Sequence, residues 1–266
     1  MPETEWKTAI TRIEPNKVQL RGYKIEDLME NTSFVDVIYL TITGNMPDPK
    51  ASKLLNAILV SSIDHGVTPP STISALTAAS TGASFNAALA AGILSINKHH
   101  GGAIEDCMET ISEAVELKKE TGDTKTAAEK IVTVYRNKKK KLAGFGHRLH
   151  KKDPRTAKIL ELSKESGMFG QFAEMAVEIE KALKISLGRE LPLNVDGAIA
   201  ALLLELKIPK DIGNMFFVMA RTPGLIAHIY EEKMRQKPMR KIIPGKYEYD
   251  GKTDLKLKLA ERKERL

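Results

Sequence analysis

The run TISALTAASTGASFNAALAAGILSIN, residues 72–97, is small and apolar on every side. A helix without a polar face has to be surrounded, and so many Ala, Gly and Ser residues let backbones approach closely. The run is therefore expected to form a helix hairpin buried on several sides, part of the core and a candidate subunit interface. Ala, Leu, Ile, Glu and Lys dominate elsewhere and aromatics make up only 5%; such side chains lose little rotamer freedom in a helix, so the chain is expected to be mainly α.

Helix start and stop signals recur along the chain. Residues 5–22 alternate apolar and polar positions, broken by Pro15 and Gly22, and read as a short extended opening. Ile25, Leu28 and Met29 are expected on one face of a first helix. Ser33 should cap a second that Gly44 stops, and Asp48 with Pro49 should open a third that runs to Gly66, leaving His65 at its exit. Amphipathic, charged helices follow from Ile104 to Val115 and from Thr126 to Tyr135, then two more in DPRTAKILELSKESG and GQFAEMAVEIEKALKIS. GRELPLNVDG is an irregular link into the buried helix GAIAALLLELKI. A long apolar helix follows Asp211, with an interruption expected at Pro223-Gly224 and a charged helix beyond Gly251.

The residue inventory excludes several function classes. The single cysteine, Cys107, excludes an intrachain disulfide and a cysteine-ligated metal, and a reducing, cytoplasmic setting is expected. No H-x-x-x-H or H-E-x-x-H pattern occurs, so no metal site is expected, and the phosphate-loop, dinucleotide and G-x-S-x-G signatures are missing. No apolar run of about eighteen residues occurs, so no membrane span is expected. The net charge of +7 attracts any polyanion. The interleaved aromatics of a single-strand binder are absent, which argues against nucleic acid as the partner.

The chemistry-bearing residues gather in AGFGHRLHKKDPR, residues 143–155, where a histidine behind two glycines precedes basic side chains. Glycine admits a ligand to the backbone, while His and Arg manage protons and grip carboxylate or phosphate, so a small, multiply anionic substrate is implied. His65, His99, His100 and His147 each stand beside glycine or at an element end, where an imidazole either reaches a ligand or serves as a structural cap. Asp196 is either the N-cap of its helix or an acid whose pKa burial raises. Arg155 opens a helix after Asp-Pro, and Arg221 interrupts an apolar face, where it needs either an internal salt bridge or an anionic ligand. Lys138–Lys141 is either a solvated helix end or a phosphate contact.

RGYKIEDLMENTSFVDVIYLTITGNMPD, HHGGAIED, GFGHRLHKKDPR, NVDG and MARTPGLIAH stand here in the order found in citrate synthases and their lyase relatives, and from about Leu20 to about Asp250 the chain resembles that family. The resemblance implies an all-α, citrate synthase-like fold working as a homodimer or higher homo-oligomer. Its large domain would comprise residues 1–103 and 197–266, and its small domain 104–196. The chemistry implied joins or separates acetyl-CoA and oxaloacetate through citryl-CoA, with coenzyme A thioester as substrate and no tightly bound cofactor.

Residue by residue, His100 resembles the histidine that hydrogen-bonds the thioester oxygen of the enolate, and His147 the one acting on the oxaloacetate carbonyl or the citryl hydroxyl. Asp196 resembles the carboxylate that exchanges a proton with the acetyl methyl carbon. His65, Arg155 and Arg221 resemble the residues that hold the dicarboxylate. Gly144, Phe145 and Gly146 would border the CoA chain, and Lys151 would reach a CoA phosphate, although one residue fewer separates His147 from Asp-Pro-Arg than in many synthases.

Two departures bear on the direction of the reaction. Gly197-Ala198 follows NVD, as in the citryl-CoA-cleaving module of ATP citrate lyase, whereas His100 follows the synthase pattern. Near the C-terminus Ile243 precedes Pro244 where many relatives carry Arg-Pro, leaving Arg240 as the candidate carboxylate ligand. The expectation is a citryl-CoA lyase; the alternatives are a citrate or methylcitrate synthase and, more remotely, a non-catalytic helical protein binding CoA or polyanions.

Overall fold

The computed structural model describes residues 6–146 and 153–239. Three short antiparallel strands open it, β1 (Thr11–Glu14), β2 (Lys17–Leu20) and β3 (Tyr23–Lys24), with Ile13 opposite Val18 and Leu20 opposite Tyr23. The alternation read from sequence is thus a small meander, tied down where the Arg21 guanidinium donates to the Thr41 carbonyl at 2.8 Å. Among the described residues the rest of the regular structure is helical.

In α1 (Ile25–Asn31) only Leu28 is buried; Met29, expected beside it, is 79% exposed, because a helix of two turns rests on its neighbours along one narrow line. α2 (Phe34–Thr43) begins with the expected Ser33 cap, completed by the Asp36 carboxylate accepting the Ser33 N–H, and stops at Gly44 with φ +80°. Asp48 caps α3 (Pro49–Ser61) through the N–H groups of Lys50 and Ala51. This helix ends at Ser61 rather than running to Gly66, so His65 sits in a loop instead of at a helix exit.

The hairpin expected from the apolar run is α4 (Pro70–Ser80) and α5 (Phe85–Leu94). A Cβ on Gly92 would come within 3.0 Å of the Ser71 carbonyl, which measures how closely the two backbones pass. The amphipathic helices are longer than read: α6 spans Ala103–Thr121 and α7 Thr124–Asn137. α8 (Pro154–Glu165) and α9 (Gln171–Leu187) follow, then α10 (Val195–Glu205) and, after a 3-10 turn at Lys210–Ile212, α11 (Gly213–Arg235).

α10 is the buried helix of the main core and packs against α6 and α9; its Ile199, Leu202 and Leu203 share one cluster with Ile104, Met108 and Ile111 of α6, Ile131 of α7 and Ile179 and Leu183 of α9. A smaller cluster joins Ala75, Ala79 and Ala88 of the hairpin to Leu225 and Ile229 of α11. α6 and α11 cap each other: the Asn214 side chain accepts the Glu105 N–H at 3.2 Å and the Glu105 carboxylate accepts the Asn214 N–H at 3.0 Å. The interruption expected at Pro223-Gly224 does not occur. Pro223 lies on the exposed side of α11, where water can satisfy a carbonyl left without its donor, and the helix continues to Arg235. The charged helix expected beyond Gly251 lies outside the described residues. No described helix is long and apolar enough to cross a membrane.

Candidate active site

The link into α10 zips onto the glycine-rich loop. Asn194 N–H donates to the Gly144 carbonyl at 3.0 Å, Gly146 N–H to the Pro192 carbonyl at 2.7 Å, and the Asn194 amide to the Gly146 carbonyl at 2.9 Å. Gly144 and Gly146 adopt φ +83° and +87°, in the left-handed region that disfavours a side chain. Asn194 also caps α10 by accepting the Gly197 N–H at 3.0 Å. The N-cap is therefore Asn194, and Asp196, two residues later, stands in the cavity wall instead. Burial raises the Asp196 pKa above its ordinary value against the opposing pull of Arg155 and Arg221.

The two arginines grip the end of α3. Arg155 forms a bidentate pair with Asp153, Nε to Oδ1 at 3.0 Å and Nη2 to Oδ2 at 2.8 Å, while its Nη1 reaches the Ser61 carbonyl at 3.4 Å. Arg221 is 2% exposed, its Nε donating to the Ser62 carbonyl at 3.1 Å and its guanidinium lying 4.8 Å from the centre of the Phe217 ring. Its Nη1 is buried without a hydrogen-bond partner among the described residues, and no ion pair there involves Arg221. The internal salt bridge considered for it is therefore not found among those residues. A buried cation with an unfilled donor is costly unless an anion approaches.

His100 packs edge-on against the same Phe217 ring, centroids 5.6 Å apart, and its Nε2 lies 2.8 Å from the hydroxyl of Ser71. Burial, and then the charge of Arg221, lowers its pKa, so the neutral imidazole is favoured. Such a ring stabilises developing negative charge by donating a hydrogen bond rather than by carrying a full positive charge. Ser71, fully buried in the first turn of α4, and Phe217 both escaped the sequence reading. Phe217 stands four residues before Arg221, a helical spacing that could have flagged it; nothing local distinguishes Ser71. Replacing Ser71 by Ala is expected to lower kcat about tenfold by freeing the His100 ring, with a small drop in melting temperature, measured by steady-state kinetics and thermal denaturation.

These elements enclose a cavity of about 500 Å³ lined by His65, His99, His100, Arg155, Asp196 and Arg221, with Gly146 and Phe217 also in the wall. Six of the acid, imidazole and guanidinium groups singled out from sequence thus converge from α8, α10, α11 and two loops. Gly144 and Phe145 are not in the lining of this cavity, and the Phe145 backbone bridges to Leu193. His147, Lys151 and Arg240 lie outside the described residues. A larger recess of about 790 Å³ between Phe34 and Lys53 has no histidine or arginine in its lining. Among the described residues no cluster of His, Cys, Asp and Glu could hold a metal ion. The cavity offers cationic groups for carboxylates, a neutral imidazole, and an acid whose pKa favours retention of a proton.

Known proteins share this arrangement of elements. The chain superposes on the structure of citryl-CoA lyase from Hydrogenobacter thermophilus with a TM-score of 0.88 and 39% identity, covering 96% of this chain and 98% of that one. ATP citrate lyase from Methanothrix soehngenii, solved with citrate and coenzyme A, shares the fold at a TM-score of 0.81 and 20% identity over 96% of this chain and 43% of that one. A citrate synthase of Heyndrickxia coagulans is 31% identical over 239 residues, 88% of this chain. The chain spans 59% of that relative's length, so the match leaves a large part of the synthase without a counterpart here. The family described as citrate synthase, C-terminal domain, matches residues 41–243. With its cavity assembled on that fold and the family match covering most of its length, the chain belongs to the citrate synthase family.

Proposed function

We propose that this enzyme is a citryl-CoA lyase, cleaving citryl-CoA to acetyl-CoA and oxaloacetate. The observation that carries the reading is the likeness to the Hydrogenobacter thermophilus citryl-CoA lyase along nearly the whole of both chains. In this reading His147 takes the proton of the citryl hydroxyl. The bond between the hydroxyl-bearing carbon and the methylene next to the thioester breaks, and its electron pair passes into an enolate whose oxygen His100 hydrogen-bonds. Asp196, as the carboxylic acid, delivers a proton to the enolate carbon to give the acetyl methyl group. His65, Arg155 and Arg221 hold the carboxylates, with Arg240 as a further candidate; Gly144, Phe145 and Gly146 border the CoA chain and Lys151 meets a phosphate.

The reading includes a cytoplasmic location, a large lobe of residues 1–103 and 197–266, and a small lobe of 104–196. It also includes a homodimer, supported by Phe85 and Leu94 of α5 and Ile226 and Tyr230 of α11, which are all about half exposed or more. A second reading, citrate or methylcitrate synthase, is favoured by the curated synthases among the relatives. Purified protein given citryl-CoA is expected to release oxaloacetate and acetyl-CoA, followed through NADH oxidation by malate dehydrogenase. Release of citrate and free CoA instead, together with rapid condensation of acetyl-CoA and oxaloacetate, would make it a synthase.

A further inference from the structure

Residues 62–64, the loop leading to His65, run along a single face of α11. Arg221, Gly224 and His228 stand at positions i, i+3 and i+7 of that helix and meet successive residues of the loop. The Arg221 Nε donates to the Ser62 carbonyl. At Gly224 a Cβ would lie 2.3 Å from the Ile63 carbonyl oxygen, so only glycine lets the loop pass this close. The His228 Nε2 lies 2.9 Å from Asp64 Oδ1, with the imidazole only 15% exposed. The other Asp64 oxygen, Oδ2, accepts the N–H of Gly66 at 2.9 Å. Burial opposes ionisation of Asp64, but the Gly66 N–H, His228 and the His65 N–H outweigh it and hold the carboxyl below its ordinary pKa. One carboxylate thus ties the backbone on both sides of the His65 peptide to α11, and the helix that carries Arg221 also aims the loop that carries His65.

We infer that His228 is a positioning residue: acting through Asp64, it sets where the His65 imidazole stands in the cavity and so the affinity for the carboxylate end of the substrate. The inference rests on the reading of His65 as a substrate ligand. Neither His228 nor Asp64 lines the cavity, and both act at one remove.

The test compares wild type with His228→Ala, His228→Gln and Asp64→Asn. Glutamine places an amide donor near the position of the imidazole Nε2 and should restore the bond to Asp64. His228→Ala is expected to raise KM for citryl-CoA, and Kd for oxaloacetate by calorimetry, about tenfold while kcat stays within about threefold, and His228→Gln to recover most of the loss. A merely structural role would lower the active fraction, and hence kcat, at unchanged KM. Hydrogen exchange at the amides of residues 62–66, read by mass spectrometry without substrate, is expected to quicken about tenfold in His228→Ala and in Asp64→Asn. Unchanged exchange in both would overturn the positioning claim whatever the enzyme's activity, as would an unchanged KM in His228→Ala. Wild type that neither cleaves citryl-CoA nor binds oxaloacetate would overturn the functional reading, and with it the substrate link, while exchange still reports on the loop.

Discussion

Asp196→Asn is expected to fold normally and to lose about 10²–10⁴ of the citryl-CoA cleavage rate. Asparagine fills the same space but has no acidic proton for the enolate carbon. Because burial raises the Asp196 pKa, the ionised form is the one the fold disfavours. Removing that charge should therefore leave the melting temperature at neutral pH unchanged or higher. The sign for catalysis follows from the same shift. In the proposed mechanism cleavage needs the carboxylic acid, which persists to higher pH than in an ordinary aspartate, so kcat should fall as pH rises through the raised pKa. Condensation by the same route would need the carboxylate and should gain over the same range. Stopped-flow or coupled assays of wild type in both directions would show the two opposed limbs, and the Asn variant should show neither. Wild-type turnover in Asp196→Asn would remove this residue from the mechanism.

Gly197→Ala should damage both fold and activity by changing a single methyl group. A Cβ there would lie 2.3 Å from the Gly144 carbonyl oxygen and 2.6 Å from a methyl carbon of Leu193. The first contact is with backbone, so no side-chain rotation relieves it. That same Gly144 carbonyl accepts the Asn194 N–H, which means the glycine loop and the start of α10 have to separate together. Overpacking of this kind costs about 1–3 kcal/mol, which for a domain of this size lowers the melting temperature by roughly 2–4 °C per kcal/mol. Activity should fall about a hundredfold, because both Gly146 in the cavity wall and the adjacent Asp196 shift relative to His100. Calorimetry and kinetics on the same preparation would check the two effects together; wild-type values in both would refute the packing argument. The requirement for glycine also gives a physical reason for Gly197 after NVD, the feature that set this sequence apart from most synthases.

The helices were legible because their signals are local. Ser33, Asp48, Gly44 and the apolar run of α4 and α5 act within a turn or two of their own positions, and each did what its chemistry requires. The misreadings share one cause. Gly66 could stop a helix, but α3 ends earlier at Ser61, where Arg155 and Arg221 take its terminal carbonyls; Pro223 could break α11, but it faces solvent. In each case a contact distant in sequence, or the side of the helix that meets water, outweighed the local signal.

The same division holds for the site. Residue type and motif order were enough to nominate His65, His100, Arg155, Asp196 and Arg221, because few side chains can carry such chemistry and each stands at a glycine, a proline or an apolar break. Where each side chain stands and what it meets was decided in three dimensions. Asn194 took the cap and left Asp196 to the cavity, Arg155 found Asp153, and Arg221 was buried on Phe217 with one donor unfilled. Ser71 had no signature, and His228, although it closes the MARTPGLIAH motif, was not marked out there, since a hydroxyl or an imidazole on a helix acquires its role only from the partner the fold brings opposite, 29 residues away for Ser71 and His100 and 164 for His228 and Asp64. Local backbone and side-chain preferences act over a few residues and can be read from the sequence, whereas burial, pKa and hydrogen-bond pairing depend on neighbours that only chain folding supplies.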